Sequence, residues 1–482
     1  MRRLITFAVF AALACSPAGE SARPNVVFIL VDDLRWDDIG IAGHPFVETP
    51  NVDQLAREGA RFLNVFSTTP LCSPSRASIL TGMYAHTNGI TDNTARDSAT
   101  HRLQTFAIPL ANAGYQTAFM GKWHMGNDDT RRPGWTRWVA MKGQGEAVDP
   151  NLNIDGERME VKGYVTDILT DYATDFIKGS RDTPFMLFVA HKALHRNVMQ
   201  RDDGSTAALT GDQPSGFIPA ERHKGRYANA LLPRRANFGV APTDKPALMR
   251  RIAGLPPLGR STATSDADIR ARLEMVLGVD ESLGRIVATL REIGQLDNTI
   301  IVFTSDHGYF YGEHGLDPER RMAYEETARI PLIIRYPKAA SAGSTPAEMV
   351  QAIDFAPTIL ALAGVSDTVA RQGKSLVPVL NGNAPGWRSS ILIEYYSDRV
   401  FPRMLTMGYQ AVRTDRYKYI KYNDLSGMDE FYDLETDPFE MENIIGSSAG
   451  RAALPAVQAE LVRLQQESGY VPLATPGGGP SP

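Results

Sequence analysis

Short unbroken apolar runs alternate along this chain with stretches in which apolar residues recur every three or four positions. Residues 26–31 (Val-Val-Phe-Ile-Leu-Val) form the first such run, and it stops at Asp32-Asp33. A run this short, without polar alternation, predicts a strand covered on both faces, as in a mainly parallel sheet. Asn51 follows as a candidate N-cap, with Val52 and Leu55 facing inward and Gly59 closing a short helix. Runs at residues 116–120, 184–190 and 299–304 repeat the pattern. Each is followed at once by reactive side chains: Gly121-Lys122-Trp123-His124, His191-Lys192-Ala193-Leu194-His195 and Ser305-Asp306-His307-Gly308. Residues 163–177 and 267–293 carry helical apolar stripes, and residues 351–364 read as a helix closing the unit. Strand and helix in alternation predict an α/β fold built on a large, mostly parallel sheet flanked by helices. Ligands of open α/β sheets bind beyond the carboxyl ends of the strands, so strand ends bearing Asp, Lys and His predict one shared site.

Two regions break the rhythm. Residues 197–262 are polar and basic, with Arg222, His223, Lys224 and Arg226 among them, and read either as an insertion beside the site or as a solvated excursion. Beyond residue 371, strand candidates at 390–395, 410–414, 417–422 and 431–434 precede an amphipathic helix at 454–467, which predicts a small antiparallel sheet with one helix. The expected organisation is therefore a catalytic domain at 24–370, a small C-terminal α+β unit at 371–474, and a disordered Gly/Pro-rich tail at 475–482.

Residues 1–23 add a targeting segment. Arg2 and Arg3 precede an apolar stretch, residues 4–14, that is too short to span a bilayer. Ala12-Leu13-Ala14 fits a signal cleavage site, and Cys15 alternatively fits the acylated residue of a lipoprotein. Either reading exports the protein, to the periplasm or to the outer membrane, and only the second gives it a membrane tether, through a lipidated Cys15. The formal net charge of −5 offers no broad basic surface, which argues against nucleic acid as a partner. Only two cysteines occur in 482 residues, so beyond Cys15 the chain keeps the single thiol of Cys72.

Cys72 opens the run Cys72-Ser73-Pro74-Ser75-Arg76-Ala77-Ser78-Ile79-Leu80-Thr81-Gly82. Ser73 as cap, Pro74 at the first helical position and Gly82 at the end predict a loop turning into a helix. Cys72 then lies at the helix's positive end with Arg76 on the same turn, an arrangement suited to an anion. Taken alone, the cysteine would read as an ordinary buried residue.

The whole run, however, resembles the signature of the type I sulfatases, the formylglycine-dependent family within the alkaline phosphatase superfamily. The resemblance extends from Pro24 to Phe431-Tyr432-Asp433-Leu434. It implies that a maturation enzyme converts Cys72 to formylglycine (3-oxoalanine), the nucleophile of sulfate ester hydrolysis. It implies a calcium site, with magnesium or manganese as alternatives, formed by Asp32, Asp33, Asp306, His307 and Cys72. Carboxylates suit a hard cation, while the nitrogen of His307 departs from an all-oxygen set. By the same resemblance Arg76 belongs to the catalytic set, Lys122 contacts sulfate, His124 contacts the formylglycine hydrate, and His195 lies near the leaving oxygen. The family's second lysine falls at Arg320, in Glu319-Arg320-Arg321-Met322-Ala323-Tyr324-Glu325-Glu326. Arginine keeps the charge but is a poor proton donor, which moves the general-acid role to His195.

Gly143-Gln144-Gly145, residues 191–196 and residues 219–227 resemble glucosamine-6-sulfatase-like members. They imply a sulfated sugar or glycan as substrate, bound by His191, Lys192, Arg222 and His223. Two other readings remain at this stage: a phosphonate or phosphate ester hydrolase of the same superfamily, and a sulfoglycan-binding lipoprotein that is never matured.

Overall fold

The structure, a computed structural model, describes residues 23–179, 182–209, 211, 213–317, 320–396 and 400–472. The expected targeting segment, apart from Arg23, and the tail at 475–482 lie outside the described residues.

A nine-stranded mixed sheet organises the main unit. At its centre five adjacent strands run parallel, in the order Thr299–Ser305, Asn25–Val31, Phe185–Ala190, Gln116–Lys122 and Arg137–Met141. Antiparallel strands finish both edges. The apolar run at 26–31 is explained by burial on two faces. Val26, Phe28 and Leu30 pack with Ile79, Phe106 and Leu360 on one side. Val27, Ile29 and Val31 pack with Leu169, Leu283 and Ile286 on the other. The latter residues come from the helices Val165–Lys178 and Asp266–Glu292.

In a second, four-stranded antiparallel sheet, Ser390–Tyr395, Tyr409–Thr414, Tyr417–Tyr422 and Glu430–Asp433 follow one another in chain order. Its residues also divide by face: Leu392, Val412, Tyr419 and Phe431 meet Val457 and Leu461 of the helix Ser448–Ser468. Ile391, Ile393, Tyr409 and Tyr432 pack against Leu71, Phe310 and Tyr324 of the main unit. The expected boundary at residue 370 falls earlier than the packing does, because Leu376, Val379 and Leu380 still belong to the core of the large sheet.

Two expected caps differ. The first helix is Pro50–Glu58 with Thr49 at its N-cap, so Asn51 lies inside the helix and its backbone N–H donates to Asp280. The Cys72 helix spans Cys72–Thr81 with Leu71 at the cap position, and Ser73 Oγ instead donates to the carbonyl of His124. Both residues found partners distant in sequence, which no local capping preference anticipates.

Candidate active site

Neighbouring parallel strands bring the reactive residues to one rim. Val31 is level with Ser305, and Leu30 and Gly121 are both level with Ala190, so Asp32-Asp33, Asp306-His307, His191-Lys192 and Lys122 leave the sheet side by side. The Cys72 helix starts over this rim and is buried along its whole length.

Arg76 is buried and grips the rim at three points. Its Nε donates to Asp306 Oδ2 at 2.9 Å, its Nη1 to the Lys122 carbonyl at 2.6 Å, and its Nη2 lies 3.6 Å from Asp32 Oδ2. Lys122 Nζ pairs with Asp32 Oδ2. Arg320 is also buried: its Nε lies 3.1 Å from Asp33 Oδ1, its Nη2 2.7 Å from His195 Nε2, and the same nitrogen 4.0 Å from Cys72 Sγ. His307 Nε2 lies 3.4 Å from Cys72 Sγ and 3.3 Å from Asp33 Oδ1. Burial alone would raise the Cys72 thiol, but Lys122, His307 and the contact with His124 hold it well below the usual thiol range.

One donor atom each from Asp32, Cys72, Asp306 and His307 lies within 4.8 Å of the others. Asp32 Oδ1 and both carboxylate oxygens of Asp33 are buried without a hydrogen bond. Burial and the neighbouring Asp32 push Asp306 up to about 7, and burial raises Asp33 despite Arg320 and His307. Burial opposes protonation of His307, yet Asp306, Cys72 and Asp33 push it up to about 9. Orphaned, mutually repelling oxygens beside an imidazole fit a divalent cation, which would replace those protons.

His195 donates from Nδ1 to the Arg196 carbonyl at 2.8 Å. Arginine can only donate, so His195 Nε2 is the acceptor from Arg320. Burial, Lys122 and Arg320 hold His195 well below its ordinary value, and it is neutral here. Lys192 Nζ reaches the Arg196 carbonyl at 3.1 Å, and burial with Lys122 pulls it down to about 7. His191 is buried with neither ring nitrogen hydrogen-bonded.

Arg222 and His223 lie elsewhere. Arg222 pairs with Asp167 at 2.7 Å and with Glu281 at 2.8 Å, and His223 Nε2 lies 2.9 Å from Glu281. They line a cavity of about 780 Å³ with His44, Phe46 and Glu48, and none of the residues around Cys72 contributes to its walls.

Sequence reasoning missed Arg272, which donates to the carbonyls of Leu194 at 3.0 Å and Asp33 at 2.8 Å and lies over the Tyr309 ring at 3.9 Å. The available signal was an arginine within the apolar stripe of a long helix, next to Leu273. It also missed Gln200, whose side chain meets His124.

A cysteine at a helix start, a carboxylate nest and converging cations at the rim of a parallel sheet suit the chemistry of an ester hydrolase acting on tetrahedral anions. The chain belongs to the sulfatase family: residues 24–365 match the family described as Sulfatase, and residues 312–467 match N-sulphoglucosamine sulphohydrolase, C-terminal. It is accordingly a sulfuric ester hydrolase. It is 35% identical to the N-acetylglucosamine-6-O-sulfatase of Bacteroides thetaiotaomicron, over 93% of this chain and 87% of that protein. Identity with the N-acetylglucosamine-6-sulfatase of Homo sapiens is 29%, over 95% of this chain and 87% of that one. A solved structure of a protein in complex with its substrate D-glucosamine-2-N,6-O-disulfate shares the fold with a TM-score of 0.79 and 33% identity, covering 93% of this chain and 98% of that chain.

Proposed function

We propose that this chain removes the 6-O-sulfate from a glucosamine unit of a sulfated glycan. In this reading a maturation enzyme converts Cys72 to formylglycine, and Asp32, Asp33, Asp306, His307 and residue 72 hold calcium. The observation that carries the reading is the buried convergence of the Cys72 side chain with strand-end carboxylates and with the cations of Lys122 and Arg320. Similarity to glucosamine-6-sulfatases supports the choice of sugar and position.

When present, calcium supplies positive charge against a sulfate oxygen and the formylglycine hydrate supplies the attacking hydroxyl. The chain's own residues do the rest. Arg76 fixes the carboxylates of Asp32 and Asp306 relative to the helix that carries residue 72. Lys122 and Arg320 bind the sulfate oxygens, where their charge is strengthened by exclusion from water. Burial, Lys122 and Arg320 keep His195 neutral; a sulfate between the two cations offsets their share and draws the Arg320 N–H away from Nε2, which can then hold the proton for the leaving sugar oxygen. His191 and Lys192, on the same strand end, border the sugar side.

Export follows from the Arg2-Arg3 segment and its apolar stretch, with Cys15 as the point of lipid attachment. Among the described residues no helix is long and apolar enough to cross a membrane.

The test is sulfate release from the 6-O-, 3-O- and 2-N-sulfated forms of glucosamine by matured protein. Release from the 6-O ester, with the other two inert, is expected. Release from another position would refute the regiochemistry, and no release from any of the three would refute the reading.

A further inference from the structure

The excursion at 197–262 returns one side chain to the centre of the site. Gln200, in the short strand Met199–Gln200, is buried, and its Oε1 lies 2.5 Å from His124 Nε2. Its Nε2 donates to the backbone carbonyl of Asn93 at 2.8 Å. A carbonyl only accepts, so the Gln200 amide nitrogen is committed to Asn93 and its oxygen must face His124. Gln144 agrees with this orientation, its Nε2 donating to the same oxygen at 3.1 Å. Asn93 is itself tied to the nucleophile, since its Oδ1 accepts the backbone N–H of Ser73 at 3.1 Å.

The consequence falls on His124. Its Nε2 faces an acceptor and must carry a proton. No acceptor faces Nδ1, so a second proton there would be a buried donor without a partner, and the ring carries its one proton on Nε2. Nδ1 is buried without a hydrogen bond of ordinary geometry, and it is the ring nitrogen left for the interaction between His124 and Cys72. The backbone of His124 lies in the left-handed region, φ 57°, which is uncommon for a residue other than glycine.

We propose that Gln200, braced by Gln144 and Asn93, is a positioning residue that holds His124 in the Nε2–H tautomer and thereby directs the Nδ1 lone pair at residue 72 as a base. In the step that releases sulfate, the residue 72 O–H bond breaks as the Nδ1–H bond forms. The freed electron pair makes the carbonyl, and the carbon–oxygen bond to sulfate breaks with its electrons leaving on sulfate. The tautomer is a property of the chain as synthesised, and only the source of the proton rests on the formylglycine reading.

The experiment is ¹⁵N nuclear magnetic resonance of the full-length, unmatured protein labelled at histidine, with the His124 signals assigned by their loss in His124→Asn. The expected result is a protonated Nε2 and an unprotonated Nδ1, with Gln200→Met shifting the ring towards an Nδ1-protonated form. In matured protein, Gln200→Met lowers kcat about tenfold and leaves KM within about twofold. A wild-type ring protonated at Nδ1, or a Gln200→Met protein with unchanged spectrum and kcat, would overturn the proposal. Should Gln200→Met not fold, the wild-type spectrum decides alone. A correct tautomer in a matured protein that releases no sulfate would count against the proposed function and leave the positioning role standing.

Discussion

Arg320 lies between two groups, the Asp33 carboxylate and His195 Nε2. Its planar fork meets them with separate nitrogens. Arg320→Ala is therefore expected to lower kcat/KM on the 6-O-sulfated sugar by about 10²–10³-fold. Arg320→Lys keeps the charge and loses about tenfold; equal losses for both variants would show that charge is not what the position supplies. Arg76 has a second kind of importance. Arg76→Leu leaves Asp32 and Asp306 buried without their guanidinium, and urea unfolding should show a loss of about 3–5 kcal/mol. An unchanged midpoint would contradict the structural part of its role. The sequence made Asp32, Asp33, Lys122, Lys192 and Asp306 legible because they lie just beyond apolar runs, whereas Arg76 was read from its helix turn and Arg320 from the family resemblance. Gln200 and Arg272 were not legible: their partners are set by chain returning from far away, and an isolated Gln or Arg carries no local signal.

Elements were readable in type more than in termini. Both faces of the central strands are buried, so their composition identified them, whereas the starts of the helices at 50 and 72 depended on tertiary hydrogen bonds. One contact between elements has a pH consequence. His86, in the short helix Ala85–Asn88 that follows the Cys72 helix, faces acceptors at both ring nitrogens: Glu394 Oε2 of the second sheet at 2.7 Å and the Ser468 carbonyl of the last helix at 3.0 Å. Burial would lower its pKa, but the Glu394 hydrogen bond and charge raise it above the ordinary value of 6.5. A raised histidine contributes stability that is complete below its unfolded pKa and is lost as pH rises through the folded one. The stability gap between wild type and His86→Gln should accordingly be largest below about pH 6.5 and shrink as the solution becomes alkaline. Thermal melts across that range check this, and a gap that widened with pH would contradict it.

At the scale of the whole molecule, the alternation of runs and stripes foretold both sheets. It did not foretell how far the chain stays on the large sheet before leaving it, because residues 371–388 contain only short apolar stretches around Leu376, Val379 and Leu380. A cation held in the carboxylate nest would couple metal binding to global stability. Chelation should lower the melting temperature and abolish turnover, and calcium should restore both; at a hundredfold excess over Kd the bound ion contributes about 2.7 kcal/mol. Identical melts with and without chelator would remove the cation from the account. The central claim is that Cys72 is the precursor of the nucleophile, and peptide mass spectrometry of protein made together with a maturation enzyme tests it most directly. The account predicts a Cys72 peptide lighter by about 18 Da, as exchange of a thiol for an aldehyde requires, and turnover that disappears in Cys72→Ala. An unmodified Cys72 in protein that nevertheless releases sulfate would contradict it.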